Sequence, residues 1–140
     1  MASLVDTNVL VYRHDPRYPE KQSIAERILK EGIASDSVRI AHQAIVEFVA
    51  ATTKPAQDGR SILEPPDARR EAEELLAQFT LLYPNDDVLR TALRGAPAYG
   101  LPWFDAHMWA YAEVYGLEEL ISEDFQSDRL YGKVRILNPF

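Results

Sequence analysis

Four acidic side chains, far apart in the chain, stand where apolar segments end or helices begin. They are Asp6 in Leu4-Val5-Asp6-Thr7-Asn8, Glu47 in Ala44-Ile45-Val46-Glu47-Phe48, Asp105 in Trp103-Phe104-Asp105-Ala106 and Asp124 in Ile121-Ser122-Glu123-Asp124-Phe125. A carboxylate in an apolar neighbourhood is costly unless it is paired or binds a cation. None of the four segments holds a lysine or arginine, so a metal ion is the cation that the pattern points to. Hard divalent cations such as magnesium take oxygen ligands and keep several waters, a need that a carboxylate cluster meets without histidine.

Singly, each acid has a plainer use. Asp6 before Thr7-Asn8 could cap the helix that follows, and Asp105 could favour a helix N-terminus through the macrodipole. Asp124 could be a turn residue before Phe125. Glu47 could face solvent, although Ile45, Val46, Phe48 and Val49 around it favour partial burial. The four acquire a common purpose only if the fold gathers them, and the elements must be laid out to ask whether it does.

Ser3-Leu4-Val5 reads as a short buried strand running into a helix start at Asp6-Thr7-Asn8, and that helix stops near Asp15-Pro16. A helix from Pro19 to Gly32 presents Ile24, Ile28 and Leu29 on one face, with Gly32 as its C-terminal stop. A strand over 37–41 and a helix over 43–53 follow, then a loop over 54–66 marked by Pro55, Gly59, Pro65 and Pro66. Such a loop is long for a compact domain. Helices are expected at 67–79, 86–93 and 103–115, and strands at 81–83, 119–122 and 134–137. Alternating strands and helices predict a parallel sheet covered on both faces. In such sheets ligands bind beyond the carboxyl ends of the strands. Asp6 and Asp124 each follow a strand, while Asp105 and Glu47 lie in early turns of helices, so all four can reach one sheet edge.

The chain has 140 residues, enough for one domain with a proper core. No cysteine is present, which excludes disulfides, thiolate nucleophiles and cysteine-held zinc and fits a reducing cytosol. Only three histidines occur, His14, His42 and His107, too few for a histidine-rich metal cage. The N-terminal residues lack a basic segment followed by an apolar stretch, so no secretory leader is expected, and no apolar run spans a bilayer. Formal net charge is −7, and from position 61 to 140 acids outnumber bases 14 to 7. That is the wrong sign for gripping nucleic acid by the whole surface. A role on RNA or DNA requires a local basic rim, a cation at the site or a second subunit.

These segments resemble the PIN-domain ribonucleases, and among them the toxin subunits of VapBC toxin–antitoxin pairs. The resemblance rests on Val5-Asp6-Thr7-Asn8, on Glu47 in a helix after the second strand, on Phe104-Asp105-Ala106, on Leu120-Ile121-Ser122-Glu123-Asp124-Phe125 and on the closing 134–140. It runs from Leu4 to Phe140. Pro102 departs from the polar residue common before the aspartate helix, and Glu123 and Asp128 add acids beside Asp124 that could assist it. The resemblance implies a single PIN domain over 1–140, a three-layer α/β/α fold with a central, mostly parallel sheet. It implies metal-dependent hydrolysis of RNA phosphodiester bonds in the cytoplasm, with Mg2+ as cofactor and Mn2+ able to replace it. Asp6 and Asp105 would hold the first cation, Asp124 and Glu47 would complete the site, and Thr7 and Ser122 would orient water. A small VapB-like antitoxin laying a basic segment across the acidic groove is the implied partner, and homodimers are implied as well.

Rival readings are a haloacid-dehalogenase-like phosphatase, which needs an acid where Asn8 stands, and a PIN-like module that binds protein or RNA without turnover. His107 follows Asp105 by about 200° of helix turn and so points away from it. His42 belongs to the cap region of the Glu47 helix. Arg13, Arg60, Arg129 and Lys133 are candidates for a phosphate-contacting rim, against the plainer reading of solvated surface. Trp103, Phe104, Trp109 and Tyr111 are expected in the core or at a dimer contact.

Overall fold

A computed structural model describes residues 2–140. Six strands form one sheet: β1 (Ser3–Val5), β2 (Val38–Ala41), β3 (Thr80–Leu82), β4 (Glu119–Ile121), β5 (Leu130–Tyr131) and β6 (Val134–Leu137). Their order is β3-β2-β1-β4-β6-β5. Every neighbouring pair is parallel except β5 with β6. Successive strand residues point to opposite faces. Leu4 and Val5, Ile40 and Ala41, and Leu120 and Ile121 are nonetheless all buried. Both faces are therefore covered, which gives the three-layer α/β/α arrangement expected of a parallel sheet whose strands read as continuous apolar runs.

The covering helices are α1 (Thr7–Tyr12), α2 (Pro19–Ser35), α3 (His42–Thr53), α4 (Pro65–Gln78), α5 (Asp86–Tyr99) and α6 (Trp103–Val114). Helix α1 packs on α2 and α3, α3 on α4, and α5 on α6. Helix α6 buries Ala106, Met108, Trp109, Ala110, Tyr111 and Ala112, and Trp109 Nε1 donates to the Tyr131 carbonyl at 3.0 Å. Of the four aromatics expected in the core or at a contact, Trp109 and Tyr111 are buried, whereas Trp103 and Phe104 are exposed.

Several boundaries differ from the sequence expectations. Helix α2 continues past Gly32 to Ser35, and the left-handed residue that ends it is Asp36, φ 52°. Gly32 is instead buried against β2, where an added Cβ would lie 2.8 Å from Val38 Cβ. Pro65 and Pro66 open α4 instead of closing the loop, since a first helical turn needs no N–H from them. Helix α5 continues through Pro97 to Tyr99 and ends at Gly100, φ 64°. The cost of that proline is confined to the last turn, while Gly95 lets Trp109 of α6 lie directly against the helix. Strand β5 is an addition. Its pairing with β6 closes through the tight Gly132-Lys133 turn, with Gly132 at φ 60°. No described helix is long and apolar enough to cross a membrane.

Sequence order moves from β1 outward to β2 and β3, then returns to the other side of β1 for β4. The reversal leaves a crevice between the carboxyl ends of β1 and β4, the place where open parallel sheets bind ligands.

Candidate active site

Register decides what meets in that crevice. Val5 pairs with Ile121, so the next residues, Asp6 and Ser122, face each other. The Asp6 backbone N–H donates to the Ile121 carbonyl at 3.0 Å, and Ser122 Oγ donates to Asp6 Oδ2 at 2.6 Å. Asp6 also caps α1, its Oδ1 accepting the Thr7 N–H at 2.7 Å. The capping role read for a lone aspartate is thus present, and it coexists with the placement of the carboxylate in the crevice.

Asn8 ties the two strand ends together. Its Nδ2 donates to Asp124 Oδ2 at 3.1 Å and to Ser122 Oγ at 3.2 Å. Ser122 Oγ also accepts the Asp124 N–H at 3.0 Å. On the other side Thr7 Oγ1 donates to Glu47 Oε1 at 2.8 Å, joining α1 to α3. The hydroxyl protons of Thr7 and Ser122 are therefore both engaged by carboxylates. Asp105 lies in the first turn of α6, and its carboxylate has no hydrogen-bond partner among the described residues.

Asp6, Glu47, Asp105 and Asp124 line one cavity of about 510 Å3. Among the described residues none of the four enters an ion pair. Arg17 also lines this cavity, but it is committed to Asp15, whose oxygens accept from its Nε at 2.9 Å and its Nη2 at 2.8 Å. The cost of the uncompensated charge is visible in proton affinity. Burial, followed by the nearby charges of Asp124 and Asp105, pushes Asp6 from its ordinary 3.8 to about 7, against the opposing hydrogen bonds from Ser122 and Thr7. Burial, with Asp124 and Glu47 adding to it, raises Asp105 to about 6.

A divalent cation fits this donor set. The available atoms are carboxylate oxygens, and Asn8 Oδ1 beside them is buried with no hydrogen-bond partner. An orphaned acceptor of that kind carries a desolvation penalty that a cation or its water shell removes. Among the described residues the acids do not close into a ready-made cage of three or more ligands. They form the wall of an open cavity.

Other expected residues lie elsewhere. His14 packs on Phe48, His42 on Tyr83 and His107 on Trp103, and none lines the acidic cavity. Glu123 is held by Tyr12 Oη at 2.6 Å and by Lys21 Nζ at 3.2 Å, which commits it away from the cavity. Asp128 sits in a left-handed turn, φ 64°, also outside the cavity lining. The four proposed rim bases do not gather. Arg129 stacks on Tyr131, Lys133 lines a separate cavity with Glu113, and Arg13 lines neither the acidic cavity nor its neighbour, which Arg60 does line. The sequence reading missed Asn8 as a brace, the Asp15–Arg17 pair, and the contacts of Tyr12 and Lys21 with Glu123. Each depends on contacts that residue type does not announce.

No curated protein matches the chain. Solved structures do. A toxin–antitoxin complex from Klebsiella pneumoniae aligns at 17% identity and TM-score 0.67, covering 99% of this chain and 98% of that one. DNA-bound VapBC from Salmonella typhimurium aligns at 12% identity and TM-score 0.72, covering 100% and 99%. VapC20 from Mycobacterium tuberculosis, described as a sarcin-ricin loop cleaving toxin, aligns at 14% identity and TM-score 0.63, covering 85% and 87%. At such identities the likeness is one of fold. The PIN domain family model matches residues 3–133. With that match over nearly all of the sequence, and with its acids gathered at the β1–β4 crevice, the chain belongs to the PIN domain family.

Proposed function

We propose that the chain is a divalent-cation-dependent ribonuclease and the toxin half of a toxin–antitoxin pair. The observation that carries the reading is the gathering of Asp6, Glu47, Asp105 and Asp124 around one cavity with none of the four ion-paired among the described residues. Support comes also from the fold, which is shared with VapBC complexes and with a toxin described as cleaving the sarcin-ricin loop.

When bound, a divalent cation supplies positive charge at the attacked phosphate and acidifies a water. The chain's own residues prepare that event. Asp105, with both oxygens free of hydrogen bonds among the described residues, and Asp6, whose Oδ1 accepts only the Thr7 N–H while its Oδ2 takes both Ser122 Oγ and Asn8 Nδ2, would be the direct ligands. Asp124 is held by Asn8 and Glu47 by Thr7, each with an oxygen left to complete the site or to accept a proton from a water. Thr7 and Ser122 fix carboxylate rotamers, which keeps the ligands in place before metal arrives. Magnesium is the resident cation in this reading, and manganese replaces it.

The Klebsiella structure is a toxin–antitoxin complex, and the Salmonella structure is a VapBC bound to DNA. By extension, the partner here is a small antitoxin whose basic segment crosses the acidic cavity. Exposed Trp103, Phe104 and Val46 beside Asp105 and Glu47 suit a homodimer contact or an antitoxin contact. The cytoplasm is the proposed compartment, since that is where RNA targets are met.

The test is incubation of purified chain with structured RNA in Mn2+, Mg2+ or EDTA. Cleavage is expected with either cation and not with EDTA. Asp105→Asn is expected to abolish cleavage while unfolding at a temperature near that of the wild type. Wild-type rates in the variant, or intact RNA with the wild type in both cations, would overturn the reading.

A further inference from the structure

A second cavity, of about 480 Å3, adjoins the acidic one. Asp15, Arg17, Ala51 and Ile62 line both, so the two meet as one groove. The charge changes sign along it. The acidic end holds the four site carboxylates. The far end is lined by Lys54 and Arg60, both exposed, and neither enters an ion pair among the described residues.

Two acids, Asp15 and Asp58, share that end with Arg17, Lys54 and Arg60, so its lining keeps one net positive charge. Asp15 is held by Arg17, and Asp58 Oδ1 accepts the Arg60 backbone N–H at 2.9 Å. The segment carrying the cations is ordered by its own bonds. The Ala56 N–H donates to the Arg60 carbonyl at 2.8 Å, the Gly59 N–H to the Ala56 carbonyl at 2.9 Å, and the Leu63 N–H to the Thr52 carbonyl at 2.9 Å. Lys54 and Arg60 are thus presented from a formed turn, at less entropic cost than from a floppy loop.

We propose that this basic arm binds backbone phosphates of the RNA strand beside the cleaved bond. The inference rests on the ribonuclease reading above and adds where the strand lies. The scissile phosphate is served by a cation held by the carboxylates. A neighbouring phosphate has no such help and requires fixed positive charge. In a chain of net charge −7, Lys54 and Arg60 supply it where the groove continues. The arm reads no base, since phosphate contacts position a strand without specifying sequence.

The experiment uses a fluorescein-labelled single-stranded RNA 12-mer of mixed sequence, followed by anisotropy over a range of salt concentrations. The chains are the wild type, K54Q/R60Q, and the control R27Q/R94Q, whose residues line neither cavity. Each phosphate contact on a single strand contributes about 0.7 to the slope of log K against log salt. The K54Q/R60Q slope is expected to be shallower by about 1.4, twice that single-contact value, and the control slope to equal the wild type. In cleavage, K54Q/R60Q is expected to raise KM and leave kcat unchanged. An unchanged slope in K54Q/R60Q, or an equal fall in the control, overturns the proposal. A wild type that binds with the arm-dependent slope yet never cuts overturns the ribonuclease reading and keeps the arm. A wild type that cuts while K54Q/R60Q keeps its slope and KM does the reverse, and one that neither binds nor cuts overturns both.

Discussion

Asp6 carries the larger upward shift in proton affinity of the two raised acids at the β1–β4 crevice. It is 5% exposed, and its proton affinity is raised from 3.8 to about 7. At 1.36 kcal/mol for each unit, that amounts to roughly 4 kcal/mol of unfavourable charge that metal-free protein carries above neutrality. Asp105, raised to about 6, adds to it. Both groups bind protons more tightly folded than unfolded. Their stabilising contribution is thus full below about pH 4 and is lost as pH rises through about 6 and then 7. In metal-free buffer the unfolding temperature is expected to fall across that window. Asp6→Asn is expected to flatten the fall and to exceed the wild type in stability by about 1–3 kcal/mol above pH 7. Scanning calorimetry from pH 4 to 8 checks this. A wild type that gains stability with pH, with the variant less stable throughout, would contradict it. The four acids that line the cavity stood out in the sequence because each interrupts an apolar stretch with no cation nearby. Asn8 was not, because its bonds to Ser122 and Asp124 reach across more than a hundred residues of chain.

Helices and strands place those acids, and one tertiary staple fixes the last of them. Glu123 precedes Asp124 and is held by Tyr12 of α1 and Lys21 of α2. Lys21 also lies over the Tyr12 ring at 4.8 Å, and Phe140 packs on Tyr12 at 5.0 Å. The staple joins the segment after β4 to two helices and to the chain's end. Glu123→Gln is expected to keep the metal response, weakened a few-fold, with a stability loss of about 0.5–1 kcal/mol typical of a partly exposed ion pair. Asp124→Asn is expected to reduce the response far more. Titration calorimetry with Mn2+ separates the two, and equal loss in both would make Glu123 a ligand. The main helices and five of the six strands were legible from apolar runs and punctuation. The misplaced ends share one physical origin. Gly32, Pro65 and Pro66 are read as breakers by local propensity, but a close approach to Val38 and a first helical turn accommodate them, and α5 runs past position 93 with Pro97 taken into its last turn. Strand β5 has two residues and exists only by pairing with β6, so no periodicity could announce it.

At the level of the molecule, the strand order explains why acids spread from position 6 to position 124 meet. The chain folds outward through β2 and β3 and returns to pair β4 with β1, which brings Asp6 and Ser122 into register. The sequence allowed all four acids to reach one sheet edge but did not disclose that register. Nor did it disclose the groove that leads from the acids to Lys54 and Arg60, because both lie in a segment that reads only as a loop. Net charge −7 opposes RNA, and in the proposed reading a cation in the cavity would offset the carboxylates where the strand is cut. The direct test is thermal unfolding of the wild type, Asp6→Asn and Glu47→Gln in a titration with Mn2+. A ligand that binds only the folded state raises stability by about 2.7 kcal/mol at a hundred times its Kd. A saturable rise is predicted for the wild type, a weaker one for Glu47→Gln and none for Asp6→Asn. A wild type that shows no rise, or an Asp6→Asn rise equal to it, would contradict a cation site built on these carboxylates.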